Sequence, residues 1–176
     1  MINNVFETYT LYTALDEVSD EFLINDTHGC NNCYLCSAAA LLNTSVSSMM
    51  RTAKIPSFAD QPLSIVDINF LYNNICASHH HSFNGIGPLL PDYRNPRGNF
   101  WLQAEAFTRV NEAFGILFER DNGYGHVITG MRGAWNNTIT FYDAQSRQRI
   151  NDPVTYLDGQ RVTRLYIFKF INDFVE

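Results

Sequence analysis

The sequence predicts an α+β fold, with N-terminal helices packed against a C-terminal antiparallel β-sheet. Two observations carry this expectation. Up to about residue 114 apolar residues recur at helical spacing, and beyond it short β-rich runs alternate with Gly- and Asn-containing turns. Helices followed by strands, rather than the two in alternation, is the order of an α+β domain. At 176 residues the chain suffices for one domain with a substantial core and is cramped for two, so residues 1–176 are read as a single domain.

The elements follow in order. Leu11–Ile24 has helical periodicity, and "NDTHGCNN" after it is turn-rich. "CYLCSAAALLN" reads as a buried helix stopping near Asn43, because it holds small and straight-chain residues and no Gly or Pro. A shorter helix is expected over Ser45–Ala53, and another over Pro62–Cys76 with the proline at its first position. Ala77–Asn99, rich in Gly, Pro, Asn and Ser, is expected to be a long surface loop of the kind that covers sites. A helix resumes over Trp101–Phe114. Gly115–Arg120, His126–Arg132 and Thr138–Asp143 are then expected as strands joined by hairpins, and the alternating run Arg161–Ile171 as the last strand.

Composition excludes several classes. The net charge is −6 and no basic cluster occurs, which argues against a nucleic-acid partner. No stretch approaches the ~20 apolar residues of a membrane span, so a soluble protein is expected. The segment "MINNVFETYT" lacks a charged leader with an apolar core, so export would use a route other than a Sec signal peptide.

Chemistry concentrates in "HGCNNCYLCSAAALL", His28–Leu42. Cys30, Cys33, Cys36 and the distant Cys76 are the four cysteines, and a disulfide scaffold is not expected from them. As thiolates they would suffice for zinc or an iron–sulfur cluster, but a triplet plus a singleton lacks the paired spacing of zinc sites. No metal and no cofactor is therefore expected, and the His79–His81 run is read as solvated. Cys36, one turn inside the helix, suits a buried apolar filler. Cys33 stands at the loop–helix junction, where backbone N–H groups and the helix dipole stabilise a thiolate.

A nucleophilic cysteine needs a base and a group that orients the base. His126, in "GYGHVITG", opens a strand behind Gly125. Asp143 ends the next strand, where antiparallel pairing could bring its carboxylate to the imidazole. Cys33, His126 and Asp143 are thus the candidate catalytic residues, with Cys36 as a rival nucleophile.

Two segments resemble a known group. "NCYLCSAAALL" (Asn32–Leu42) and "GHVITGMRGAWNNTITFYDAQS" (Gly125–Ser146) resemble the papain-fold toxin family of bacterial toxins and effectors. Its members are regarded as protein glutamine deamidases within the papain-like cysteine protease superfamily. The resemblance implies a papain-like fold, with Cys33 as nucleophile, His126 as base, Asp143 as orienting acid and Gln145 beside the site. Where papain-like proteases carry an oxyanion-binding Gln this chain has Thr27. The Cys33 N–H with Asn31, Asn32 or Thr27 would then hold the oxyanion.

The implied activity is cysteine-dependent hydrolysis of an amide, first of all deamidation of a glutamine side chain in a target protein. A papain-like protease, an NlpC/P60-type peptidoglycan amidase and a non-catalytic metal-binding interaction module are the alternatives. The resemblance further implies non-Sec secretion, delivery into a target cell and a cognate immunity protein as partner.

Overall fold

The computed structural model describes residues 27, 31–55, 61–133 and 139–174. The helix expected over Leu11–Ile24, together with His28 and Cys30, lies outside the described residues. In chain order the elements are α1 (Cys33–Leu41), α2 (Val46–Thr52), α3 (Ile65–Ser78), β1 (His81–Leu89) and α4 (Asn99–Phe107). They continue with β2 (Ala113–Arg120), β3 (Gly125–Arg132), β4 (Ile139–Asp143), β5 (Gln148–Ile150), α5 (Pro153–Gly159) and β6 (Val162–Asn172). The six strands form one antiparallel sheet in the order β1-β6-β2-β3-β4-β5. This is the predicted α+β fold.

Period-two alternation divides the sheet's side chains between two apolar layers. Leu117, Val127, Tyr142 and Phe168 point to the layer filled by α1, α2 and α3. Phe118, Ile128, Phe141 and Ile167 point to the opposite layer, closed by α4 and α5 through Phe100, Ala104 and Leu157. α1 is buried from Cys33 to Ala40, as a helix with no charged residue and no polar face must be. The Ser37 hydroxyl ties it to β3 by donating to the Val127 carbonyl at 3.1 Å.

Four expectations need correction. The helix predicted over Pro62–Cys76 spans Ile65–Ser78. Ser64 caps it by accepting from the Asp67 N–H at 3.2 Å, so a Ser-x-x-Asp cap sets the start instead of the proline.

The long loop predicted over Ala77–Asn99 contains β1, which pairs with β6 along the sheet edge. An edge strand needs partners on one side only, so it accommodates Gly and Pro that would break a central one. Phe83 anchors β1 with its ring 5.6 Å from Tyr72 and 5.5 Å from Phe168. The histidine run is accordingly split. His79 caps α3, His80 stacks 5.0 Å from Phe174 and His81 opens the strand.

The helix predicted over Trp101–Phe114 spans Asn99–Phe107. Thr108 is already extended and closes the helix end by donating its hydroxyl to the Ala104 carbonyl at 2.6 Å. Finally, β5 and α5 were not predicted. Asp152 caps α5 by accepting from the Thr155 N–H at 3.2 Å, and Pro153 sits in its first turn.

Candidate active site

The site is assembled where the start of α1 meets the starting end of β3. Cys33 is the first residue of α1, and Asn32 is its N-cap. The Asn32 side chain does not cap the helix. Its Nδ2 donates to Thr27 Oγ1 at 3.3 Å, and its Oδ1 accepts from Cys36 Sγ at 3.4 Å. Asn32 therefore locks the turn that presents Cys33. The Cys33 N–H is the first amide of the helix, a position with no helical carbonyl before it to donate to.

His126 is the second residue of β3. The glycine before it has a packing reason, because a Cβ at Gly125 would lie 2.8 Å from Ile68 Cδ1 of α3. The Gly125 N–H also donates to the Leu63 carbonyl at 2.9 Å, drawing the start of α3 onto this end of β3. Across the sheet His126 is paired with Phe118, and the two rings lie 5.3 Å apart. Both side chains face the layer closed by α4 and α5, whereas Cys33 belongs to the layer of α1. The thiol thus meets the imidazole around the end of the strand.

His126 Nε2 donates to Asp143 Oδ2 at 3.2 Å, and both residues are buried. The Cys33 side chain lies close enough to His126 to strengthen its hold on a proton. With Nε2 committed to the carboxylate, Nδ1 is the ring nitrogen left for the thiol. Burial alone would lower the His126 pKa. The hydrogen bond to Asp143, the nearby Cys33 side chain and the charges of both outweigh it and raise the value from 6.5 to about 9.

Asp143 is the last residue of β4 and is saturated with donors. Its Oδ1 accepts from the Gln145 and Ser146 N–H groups at 3.1 and 3.2 Å. Its Oδ2 accepts from His126 and also from the Tyr156 hydroxyl of α5 at 3.1 Å. Burial opposes its ionisation, but these hydrogen bonds and the His126 charge win and hold the pKa below its ordinary value. Tyr156 is shifted the other way, by burial and by the adjacent carboxylate, so its hydroxyl stays a proton donor.

The geometry therefore gathers Cys33, His126 and Asp143, with the imidazole hydrogen-bonded to the carboxylate and close to the thiol. Thr27 and Asn32 stand behind the Cys33 turn, and Gln145 meets Asp143 through its backbone N–H. Asn31 is exposed one residue before the N-cap. The two neighbouring cysteines are unequal: Cys33 lies close to His126, while Cys36 is fully buried against Asn32. Cys76 is buried in α3, and burial pushes its thiol up to about 12. Among the described residues no group of three or more His, Cys, Asp or Glu could hold a metal. No described helix is long and apolar enough to cross a membrane.

Tyr156 and Phe118 were not foreseen from the sequence. Phe118 follows from the β2–β3 register once the hairpin is known. Tyr156 needs α5, which the "NDPVTY" cap signal announces, but no local pattern says that α5 packs on Asp143. A cavity of about 300 Å³, lined among others by Tyr93, Arg94, Trp101 and Arg132, contains none of the site residues. No protein-family model matches the chain, and no curated protein matches it either.

Proposed function

We propose that this chain is a cysteine-dependent amide hydrolase, with Cys33 as nucleophile, His126 as acid–base and Asp143 as the residue that orients His126. The observation that carries the reading is a buried imidazole hydrogen-bonded to a buried carboxylate, with a helix-start thiol close beside it. A carboxylate on Nε2 fixes the tautomer and stabilises the imidazolium, and a thiol at the other nitrogen can lose its proton to that ring.

The steps balance in protons. His126 takes the Cys33 proton, and the thiolate sulfur attacks the amide carbon to give a tetrahedral oxyanion. The Cys33 N–H at the head of α1 is a suitable donor to it. The C–N bond then breaks as His126 returns its proton to the leaving nitrogen, leaving a thioester. Water, deprotonated by His126, attacks the thioester, and its C–S bond breaks. The acid is released and the Cys33 thiol restored.

Within this class we favour a glutamine side chain of a target protein as substrate, which releases ammonia and leaves glutamate. The resemblance of Asn32–Leu42 and Gly125–Ser146 to the papain-fold toxins supports that choice. It also supports delivery into a target cell and inhibition by an immunity protein.

Mass spectrometry of glutamine-containing proteins and peptides treated with the full chain tests the reading. The expected result is the mass gain of amide-to-acid conversion with ammonia release, lost in Cys33→Ala and retained in Cys36→Ala. Fragments with new termini would make the same machinery a protease. Full activity in folded Cys33→Ala would refute the mechanism.

A further inference from the structure

We propose that Arg120 is a specificity-determining residue that binds a side-chain carboxylate flanking the reactive amide, so that acidic peptides are the preferred substrates. The proposal rests on the reading of Cys33, His126 and Asp143 as a hydrolytic site.

Arg120 ends β2, two residues after Phe118 and therefore on the same face. Its guanidinium carbon lies 5.8 Å from the Phe118 ring centre, and that ring is 5.3 Å from the imidazole of His126. Phe118 is thus the spacer between the cation and the reacting groups. At ~3.3–3.6 Å per extended residue, a peptide spans that separation within about three residues.

α5 holds the other side of this arrangement. Tyr156 donates to Asp143, and Gln160, one helical turn on, accepts from Arg120 Nη2. Arg120 is also close enough to Tyr156 to act on its hydroxyl electrostatically. The guanidinium is therefore fixed beside the site by two elements instead of swinging freely in solvent.

Its partners here are the Phe118 ring and the Gln160 amide, not a carboxylate. The neighbouring arginines have carboxylates: Arg161 pairs with Asp121 at 3.7 Å and Arg164 with Glu119 at 3.9 Å. Among the described residues no carboxylate lies within 4.0 Å of Arg120. Gln160 supplies one amide oxygen against a fork of five N–H donors. Half-burying a guanidinium without a counter-ion is costly unless a ligand supplies one. On a chain of net charge −6, a cation one aromatic ring away from the imidazole is where an acidic peptide finds local attraction. A planar fork also suits a carboxylate better than a single ammonium would.

The test uses the full chain and three synthetic glutamine peptides, differing only in whether the flanking residues are Glu, Ala or Lys. Turnover is read as ammonia release. Affinity is read separately with the Cys33→Ala protein, by anisotropy of the labelled peptides. For the native chain kcat/KM for the Glu peptide should exceed that for the Ala peptide by about tenfold. In Arg120→Gln that ratio should fall towards one. Arg120→Lys should restore part of it, and Arg120→Glu should shift preference to the Lys peptide.

Equal kcat/KM for Glu and Ala peptides in the native chain would overturn the proposal while leaving the hydrolase reading intact. So would a preference that survives Arg120→Gln. If no peptide is turned over, the deamidase reading fails and the affinity measurements decide the inference. Tighter binding of the Glu peptide to Cys33→Ala, lost in Cys33→Ala/Arg120→Gln, supports it, and equal binding refutes it. Thermal melting of each variant identifies any that fails to fold. Arg120→Lys, which keeps the charge, then serves as the comparison.

Discussion

His126 and Asp143 meet diagonally across neighbouring strands with Nε2 3.2 Å from Oδ2, and that same carboxylate oxygen accepts the Tyr156 hydroxyl. One oxygen thus serves both the imidazole next to the thiol and the helix that braces the site. Consequences for activity and stability follow from this sharing.

Asp143→Asn should cost about 100-fold or more in kcat, because the amide neither stabilises the imidazolium nor fixes its tautomer. His126 should then titrate below the value of about 9 that it has in the native chain. Steady-state kinetics and ring-carbon NMR measure the two effects. An unchanged ring pKa would show that Asp143 does not govern His126.

The pH dependence of stability has a definite sign. The folded His126 binds its proton more tightly than the ordinary value of 6.5. Its contribution should be complete below about 6.5 and lost as the pH rises through about 9. Asp143 is shifted downwards, so its contribution is present above 3.8 and disappears as the pH falls through its folded value. Urea midpoints across pH should therefore peak between these limbs, and His126→Gln should flatten the alkaline one.

Tyr156→Phe removes one donor from Asp143 Oδ2 and nothing else of comparable size. We expect a loss of about 0.5–1.5 kcal/mol in stability. Asp143 should become easier to protonate, since the Tyr156 hydrogen bond is one of the forces holding its pKa down. The acid limb of kcat against pH should move to higher pH, with a few-fold fall in kcat and little change in KM. A variant that loses stability while keeping the native pH profile would assign Tyr156 a purely structural role.

Gly125→Ala should destabilise by about 1–3 kcal/mol, because the new methyl meets Ile68 Cδ1 at 2.8 Å. The position adjoins His126, so kcat should fall as well. Chemical denaturation and kinetics test both, and Ile68→Val in the same chain should recover part of the loss.

Much of this was readable in the sequence where the signal was local. The α1 helix is announced by an uninterrupted Ala/Leu run, and β3 and β4 by β-branched runs between turns. Cys33, His126 and Asp143 fell at element ends, where side chains meet other elements. β1 was not readable, since Gly85, Gly87 and Pro88 speak for a loop and only pairing with β6 makes the segment a strand. Tyr156 and Arg120 were silent for the same reason. Their importance lies in α5 returning across the sheet to β2 and β4, a long-range event that no window of residues encodes.

The position of β6 adds a constraint of timing. A ribosome makes β6 after every other described element, yet in the sheet it lies between β1 and β2. Until residues 162–172 emerge, β1 has no neighbour and β2 lacks one side of its ladder. The sheet that supports His126 and Asp143 therefore closes late, through contacts of high sequence separation that form slowly. A nascent or truncated chain carries all three site residues without the surface that holds them together. The proposed activity would thus require the described chain to be made through β6, and proteolytic loss of β6 should abolish it.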